Sequence, residues 1–254
     1  MRRLSALVIL AAALLLFADQ PARAGSPFSD WAAIIVAGDD HAHSGAHSEV
    51  FDNARRDLVS AFVKAGFAPE NISQFSVQPD HQRPRAALLS DPQTITGELD
   101  RLAGSAKGGC LIYFTSHGSP EGLVLGDGGL TPSAMASMVD DACGQRPAVV
   151  VVAACFSGVF IPPLAGPNRM VLTAARPDRA SFGCGEADRY TFFDTCMLSE
   201  LPRAHDFPAL GRAVQACVAK REQDLGAEPP SEPQLWIGPQ LAPDLPLLAF
   251  SASP

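Results

Sequence analysis

Residues 147–158 read P-A-V-V-V-V-A-A-C-F-S-G, and the fold turns on this stretch. A short apolar run of β-branched residues, bounded by Pro147 and Gly158, predicts a strand buried on both faces. Such strands belong to parallel sheets, and ligands of open α/β sheets bind beyond the carboxyl ends of the strands. Cys155 stands at that end. It is either a small core residue or a nucleophile, and the choice depends on a partner elsewhere in the chain.

A second run of the same kind offers one. Residues 108–118, G-G-C-L-I-Y-F-T-S-H-G, predict a strand that ends at His117 and Gly118. If the two strands are neighbours they lie roughly 5 Å apart, and His117 and Cys155 emerge on one rim. The residues between them supply a small hairpin (Leu123 to Leu125 and Leu130, broken by glycines) and a helix from Thr131-Pro132 to Cys143-Gly144. That suffices for a right-handed crossover. A Cys–His dyad of this kind lets His117 take the thiol proton and later protonate a leaving amine. The short helical turn expected before Pro162-Pro163 adds its amide dipoles near the sulfur. Gly118 has no Cβ, so its N–H and that of Cys155 form a candidate oxyanion hole.

Further strands are predicted at 31–38, 71–77, 169–174 and 233–238. Helices are predicted at 48–65 with Ser48 as cap, from Pro92 to about Ala103, and at 207–223. Residues 78–90 read as a polar loop, and a charged loop follows 169–174. Strands alternating with helices predict an α/β fold with a mostly parallel sheet. No internal repeat or linker divides it, so one domain is expected over residues 25–254.

Residues 1–24 have the pattern of a secretory signal. Arg2 and Arg3 precede an apolar run from 4 to 18, and Ala22-Arg23-Ala24 is a small-x-small site. The run is too short to span a bilayer comfortably. An exported protein, periplasmic or secreted and free of the membrane, is therefore expected. The net charge of −8 becomes about −10 without these residues, which leaves no electrostatic case for nucleic acid. The six cysteines are 110, 143, 155, 184, 196 and 217. Pairing is the default in an oxidising compartment. A free Cys155 leaves at least one other unpaired, and Cys184–Cys196 is the first candidate bridge.

The F-T-S-H-G-S and A-A-C-F-S-G turns resemble those of the legumain-type cysteine peptidases (asparaginyl endopeptidases). The likeness runs from W-A-A-I-I-V-A-G at residues 31–38 to T-A-A-R-P-D-R-A-S-F-G-C at 173–184, and P-Q-L-W-I-G at 233–238 is similar to a late strand of caspase-like folds. The resemblance implies a caspase-like sheet of about six strands with helices on both faces. It implies His117 as general base, Cys155 as nucleophile, and hydrolysis of a peptide or protein substrate through a thioester without a cofactor. The family selects Asn, and to a degree Asp, with a polar pocket. Carried onto this chain, the family's Arg-His pair falls at Ala46-His47 and its acid before the nucleophile at Ala153. Its serine falls at Ala180 beside Ser181 and its aspartate at Asp194. His47, Ser181 and Asp194 are thus the candidate pocket residues, and Asp40 stands where the family orients its histidine.

Two other readings stay open on the residues alone. His41, His43 and His47 cluster in one loop beside Asp39 and Asp40, a local spacing that a zinc-dependent hydrolase can use. An exported, non-catalytic binding module of the same fold is the third.

Overall fold

The computed structural model describes residues 25–79 and 86–251. The predicted signal lies outside the described residues. Among those described, no helix is long and apolar enough to cross a membrane.

The chain builds strands β1 (Trp31–Ala37), β2 (Ile72–Ser76), β3 (Leu88–Leu89), β4 (Gly109–Thr115), β5 (Gly118–Ser119), β6 (Gly122–Leu125), β7 (Gly128–Leu130), β8 (Ala148–Ala153), β9 (Arg169–Thr173) and β10 (Gln234–Ile237). Its helices are α1 (Val50–Lys64), α2 (Pro92–Ser105), α3 (Pro132–Cys143), α4 (Ile161–Leu164), α5 (Phe192–Glu200) and α6 (Phe207–Leu225). Seven strands form the main sheet in the order β10-β9-β8-β4-β1-β2-β3. All neighbours are parallel except β10 against β9. The seventh strand is the two-residue β3, which lies at an edge within the stretch expected to be loop. Strands β5, β6 and β7 form a separate antiparallel sheet above the crossover.

The valine run behaves as a doubly buried strand should. Val149, Val151 and Ala153 pack into one core with Leu58 and Phe62 of α1, Met197 of α5 and Val214 of α6. Ala148, Val150 and Val152 pack into the other with Leu99 of α2 and Met135 and Val139 of α3. The two-residue period of a strand thus feeds both layers of a helix–sheet–helix stack.

The helix starts follow local chemistry. The Asp91 carboxylate accepts the Gln93 and Thr94 N–H groups, and the Thr131 hydroxyl accepts that of Ala134 at 3.2 Å. Each cap is followed by a proline, whose missing N–H would have no helical partner there. Helix α1 is the exception: Glu49, not the expected Ser48, stands at its cap position and makes no side-chain cap bond, while Ser48 Oγ accepts the Val50 N–H at 3.3 Å from one residue earlier. Pro162 and Pro163 do not end the turn after Cys155 but open α4, which follows a 3-10 turn at Ser157–Phe160.

The bridges are Cys110–Cys143 and Cys196–Cys217, and Cys184 is free with Cys155. The first ties β4 to α3 and the second α5 to α6, so the Cys184–Cys196 pairing does not form. The charged loop expected after β9 also contains a helix. Its residues 192–200, F-F-D-T-C-M-L-S-E, wedge into the core through Phe193, Cys196 and Met197.

Candidate active site

Strands β4 and β8 are adjacent and in register, with Thr115 opposite Ala153. One residue on, the Ser116 N–H still reaches the Ala153 carbonyl at 3.1 Å. His117 and Cys155 are each two residues beyond these paired ends, where the strand spacing is roughly 4.8 Å. The strands that lead into the sequence-predicted pair therefore end side by side.

A carbonyl oxygen only accepts, and His117 Nε2 lies 3.0 Å from the His41 carbonyl. The proton of the neutral ring therefore sits on Nε2, and Nδ1 keeps its lone pair. The Phe51 ring stands edge-on to the imidazole with centroids 5.0 Å apart. Asp40 does not orient His117. Its carboxylate lies 3.1 Å from His41 Nδ1 and 3.4 Å from His47 Nδ1, and also accepts from the Gln78 amide. The orienting group is a backbone carbonyl from the same loop.

The thiol is held from the other side. The Ser181 N–H points at Cys155 Sγ at 3.3 Å, with the Ser181 carbonyl and hydroxyl at 3.6 and 3.7 Å. No hydrogen bond joins thiol and imidazole. Such contacts are often long in a site without substrate. The turn after the sulfur is built by its neighbours. Phe156 has φ +56°, in the left-handed region, and its N–H donates to the Arg179 carbonyl at 2.8 Å. A non-glycine residue there costs about 1–3 kcal/mol, which packing must offset. Buried Ser157 accepts the Ala175 N–H at 3.1 Å. A Cβ on Gly158 would sit 2.5 Å from Pro177 N. Residues 174–181 thus wrap the turn, and the letters F-S-G in C-F-S-G record that contact.

Gly118 is as tightly placed. A Cβ there would lie 2.4 Å from the Cys155 carbonyl oxygen. Gly118 faces Leu123 on β6, and the Val124 N–H donates to the His117 carbonyl at 3.0 Å. Gly118 and Leu123 are therefore a non-hydrogen-bonded pair, and the Gly118 N–H turns away from β6. The Cys155 N–H has no hydrogen-bond partner among the described residues. Among the described residues, neither of these two N–H groups beside the Cys155 turn has a hydrogen-bond partner.

The candidate pocket residues do not converge. Ser181 touches the sulfur. His47 is exposed over the cleft that holds Asp40, Arg55, Arg56 and Gln74. Asp194 is 0% exposed on α5 and accepts from Tyr113 at 2.7 Å, Thr115 at 2.6 Å and Thr191 at 2.9 Å. Burial pushes its carboxyl up, against the pull of the three hydroxyls. It is neither a solvated loop residue nor open to the rim; it sits behind Thr115.

The three loop histidines do not form a metal site either. Among the described residues, the side chains whose ligand atoms share one small volume are Asp39, Asp40 and His41, while His43 and His47 fall outside. The His41 ring bonds Asp39 at 2.8 Å, and that bond, with the Asp40 charge, raises its pKa.

The profile of the peptidase C13 family matches residues 32–207, which brackets every group described above. The crystal structure of caspase-1 from Spodoptera frugiperda superposes with a TM-score of 0.60 at 16% identity, over 84% of this chain and 88% of that one. At that identity the likeness establishes the fold, a caspase-like one. No curated protein sequence matches the chain. With two thirds of its length under one profile, the chain belongs to the peptidase C13 family, the legumain family of cysteine endopeptidases.

Proposed function

We propose that Cys155 and His117 cut peptide bonds through a thioester. His117 Nδ1 takes the thiol proton as the sulfur attacks the scissile carbonyl. The developing oxyanion enters the space between the Gly118 and Cys155 N–H groups. The imidazolium, held by the His41 carbonyl, returns the proton to the leaving amine, and water then hydrolyses the thioester with His117 as base. The observation that carries the reading is the β4–β8 register, which sets Thr115 opposite Ala153 and so brings the strand ends leading into His117 and Cys155 side by side. The Ser181 N–H directed at Sγ supports it from the other side.

The specificity differs from the family's usual Asn and Asp preference on this account. Ala46 and Ala153 replace charged pocket groups, His47 lies over another cleft, and Asp194 is sealed behind Thr115. Incubating the protein and its Cys155→Ala form with a diverse peptide library tests the assignment. Cleavage products should appear with the first protein alone, and the residue before each cut reports the pocket. Identical product profiles would refute it.

Export belongs to the same proposal. The residue 1–24 pattern and two disulfides support it, since structural disulfides persist in oxidising compartments. The exported protein should begin near Gly25 by N-terminal sequencing; an intact Met1 terminus in that fraction would count against it.

A further inference from the structure

Four of the six cysteines are bridged, and the two that remain lie at the same site. Ser181 is in contact with Cys155 Sγ, and Cys184 follows three residues later, within about 11 Å of chain reach. The segment does not run straight out. The Phe192 N–H bonds the Phe182 carbonyl at 2.9 Å, and Gly183 turns with φ +87°. Cys184 then packs against Ala37, Val50 and Phe51, the ring that stands on His117. Its carbonyl accepts the His43 N–H at 3.0 Å. Both thiols thus border the volume between His117 and residues 181–184, and both are partly exposed. Burial, then the charge of Cys155, raises the Cys184 pKa. That keeps its proton on and makes it a poor first target for an oxidant.

We propose that Cys184 is a resolving thiol, which captures an oxidised Cys155 as a disulfide and makes the oxidation of the site reversible. The inference rests on Cys155 being the partly exposed, reactive thiol of the proposed function. The oxidant is hydrogen peroxide. The Cys155 sulfur attacks one peroxide oxygen, an S–O bond forms as the O–O bond breaks, and hydroxide leaves and takes up a proton as water. The sulfur is oxidised by two electrons and the peroxide is reduced by two. The Cys184 thiol then attacks the sulfenic sulfur, the S–S bond forms, and the hydroxyl leaves as water with the Cys184 proton. A dithiol reverses the product by exchange. Gly183 is packed against Phe192, and Gly185, which follows Cys184, gives the segment beyond that turn the backbone freedom to bring the two Cα atoms within disulfide range. Without Cys184, the sulfenic acid is open to further, irreversible oxidation.

The test treats the full chain and its Cys184→Ser form with a small excess of hydrogen peroxide, then with dithiothreitol. Peptide mapping without reduction should find a Cys155–Cys184 linked pair in the first protein, lighter by two hydrogens than the separate peptides. Cleavage by the first protein should fall about tenfold or more and return to within about twofold of its own starting rate. The Cys184→Ser form should lose its activity for good and accumulate sulfinic acid at Cys155. Absence of the linked pair, or equal recovery by both proteins, would overturn the proposal. The mapping needs no peptidase activity, so a failure of the functional assignment is told apart from a failure of this one.

Discussion

Replacing Gly118 with alanine separates the proposed chemistry from the fold. The added Cβ would lie 2.4 Å from the Cys155 carbonyl oxygen and 3.0 Å from Ala154 Cβ. A relaxed carbon–oxygen contact is about 3.3 Å or more, so β5 and the turn carrying Cys155 must part by about 1 Å. Neither neighbour is a flexible side-chain end that could yield instead. The strain costs about 1–3 kcal/mol, as overpacking generally does. The catalytic cost is larger. The same shift moves the Gly118 N–H off the position where the oxyanion forms, and loss of one such donor costs about 10²–10³ in kcat. Gly128→Ala in the same small sheet is the control, because its Cβ would meet only the Leu125 carbonyl at 3.8 Å. Steady-state kinetics on a fluorogenic peptide chosen from the library, with thermal melts of all three proteins, reads both effects. Gly118→Ala should show a large fall in kcat, little change in KM, and a folded protein. Activity within about threefold of the starting protein would refute the placement of that N–H, given that the expected loss is about a hundredfold or more.

Asp194 makes stability depend on pH. Burial raises its folded pKa above the ordinary 3.8, so the folded state holds the proton more tightly and this contribution is lost as pH rises from 3.8 through the folded value. Urea melts across that range should show the native protein losing ground to Asp194→Asn as pH rises; a constant or opposite difference contradicts the burial argument. Removing the Cys196–Cys217 bridge, whose cysteines are 21 residues apart, with paired alanines should lower the unfolding free energy by about 3 kcal/mol. An unchanged urea midpoint would show that α5 and α6 do not depend on it. A chelator should leave peptide cleavage unaltered, since the histidines of residues 41–47 do not share a ligating volume; loss restored by added zinc would reopen the metal reading.

What could be read from the letters followed from how each signal is written. Strands β1, β4, β8 and β9 carry continuous apolar runs, and a run buried on both faces needs no partner to be recognised. His117 and Cys155 could be singled out because each ends such a run, His117 next to Gly118 and Cys155 three residues before Gly158, although the adjacency of the two strands is a property of the register. Helix α5 was hidden. Its cap Thr191 is in place, but F-F-D-T-C-M-L-S-E has no clear helical period because it is packed between α1, α6 and the sheet. Strand β3 is two residues long and gives no pattern. The disulfides join elements that topology alone brings together, so proximity in sequence favoured the unformed Cys184–Cys196 pair. The group that orients His117 is the His41 carbonyl, and a carbonyl leaves no letter. Asp40, the carboxylate that sequence offered for the task, is committed to His41, His47 and Gln78.

The central claim is a covalent acyl group on Cys155 delivered with the help of His117. Rapid acid quenching of a turnover mixture, followed by mass mapping of the Cys155 peptide, tests it most directly. The Cys155 peptide should gain the mass of the N-terminal cleavage fragment, and His117→Ala should show neither this adduct nor product. Product formed at an undiminished rate by His117→Ala, or an acyl adduct on any residue other than Cys155, would contradict it.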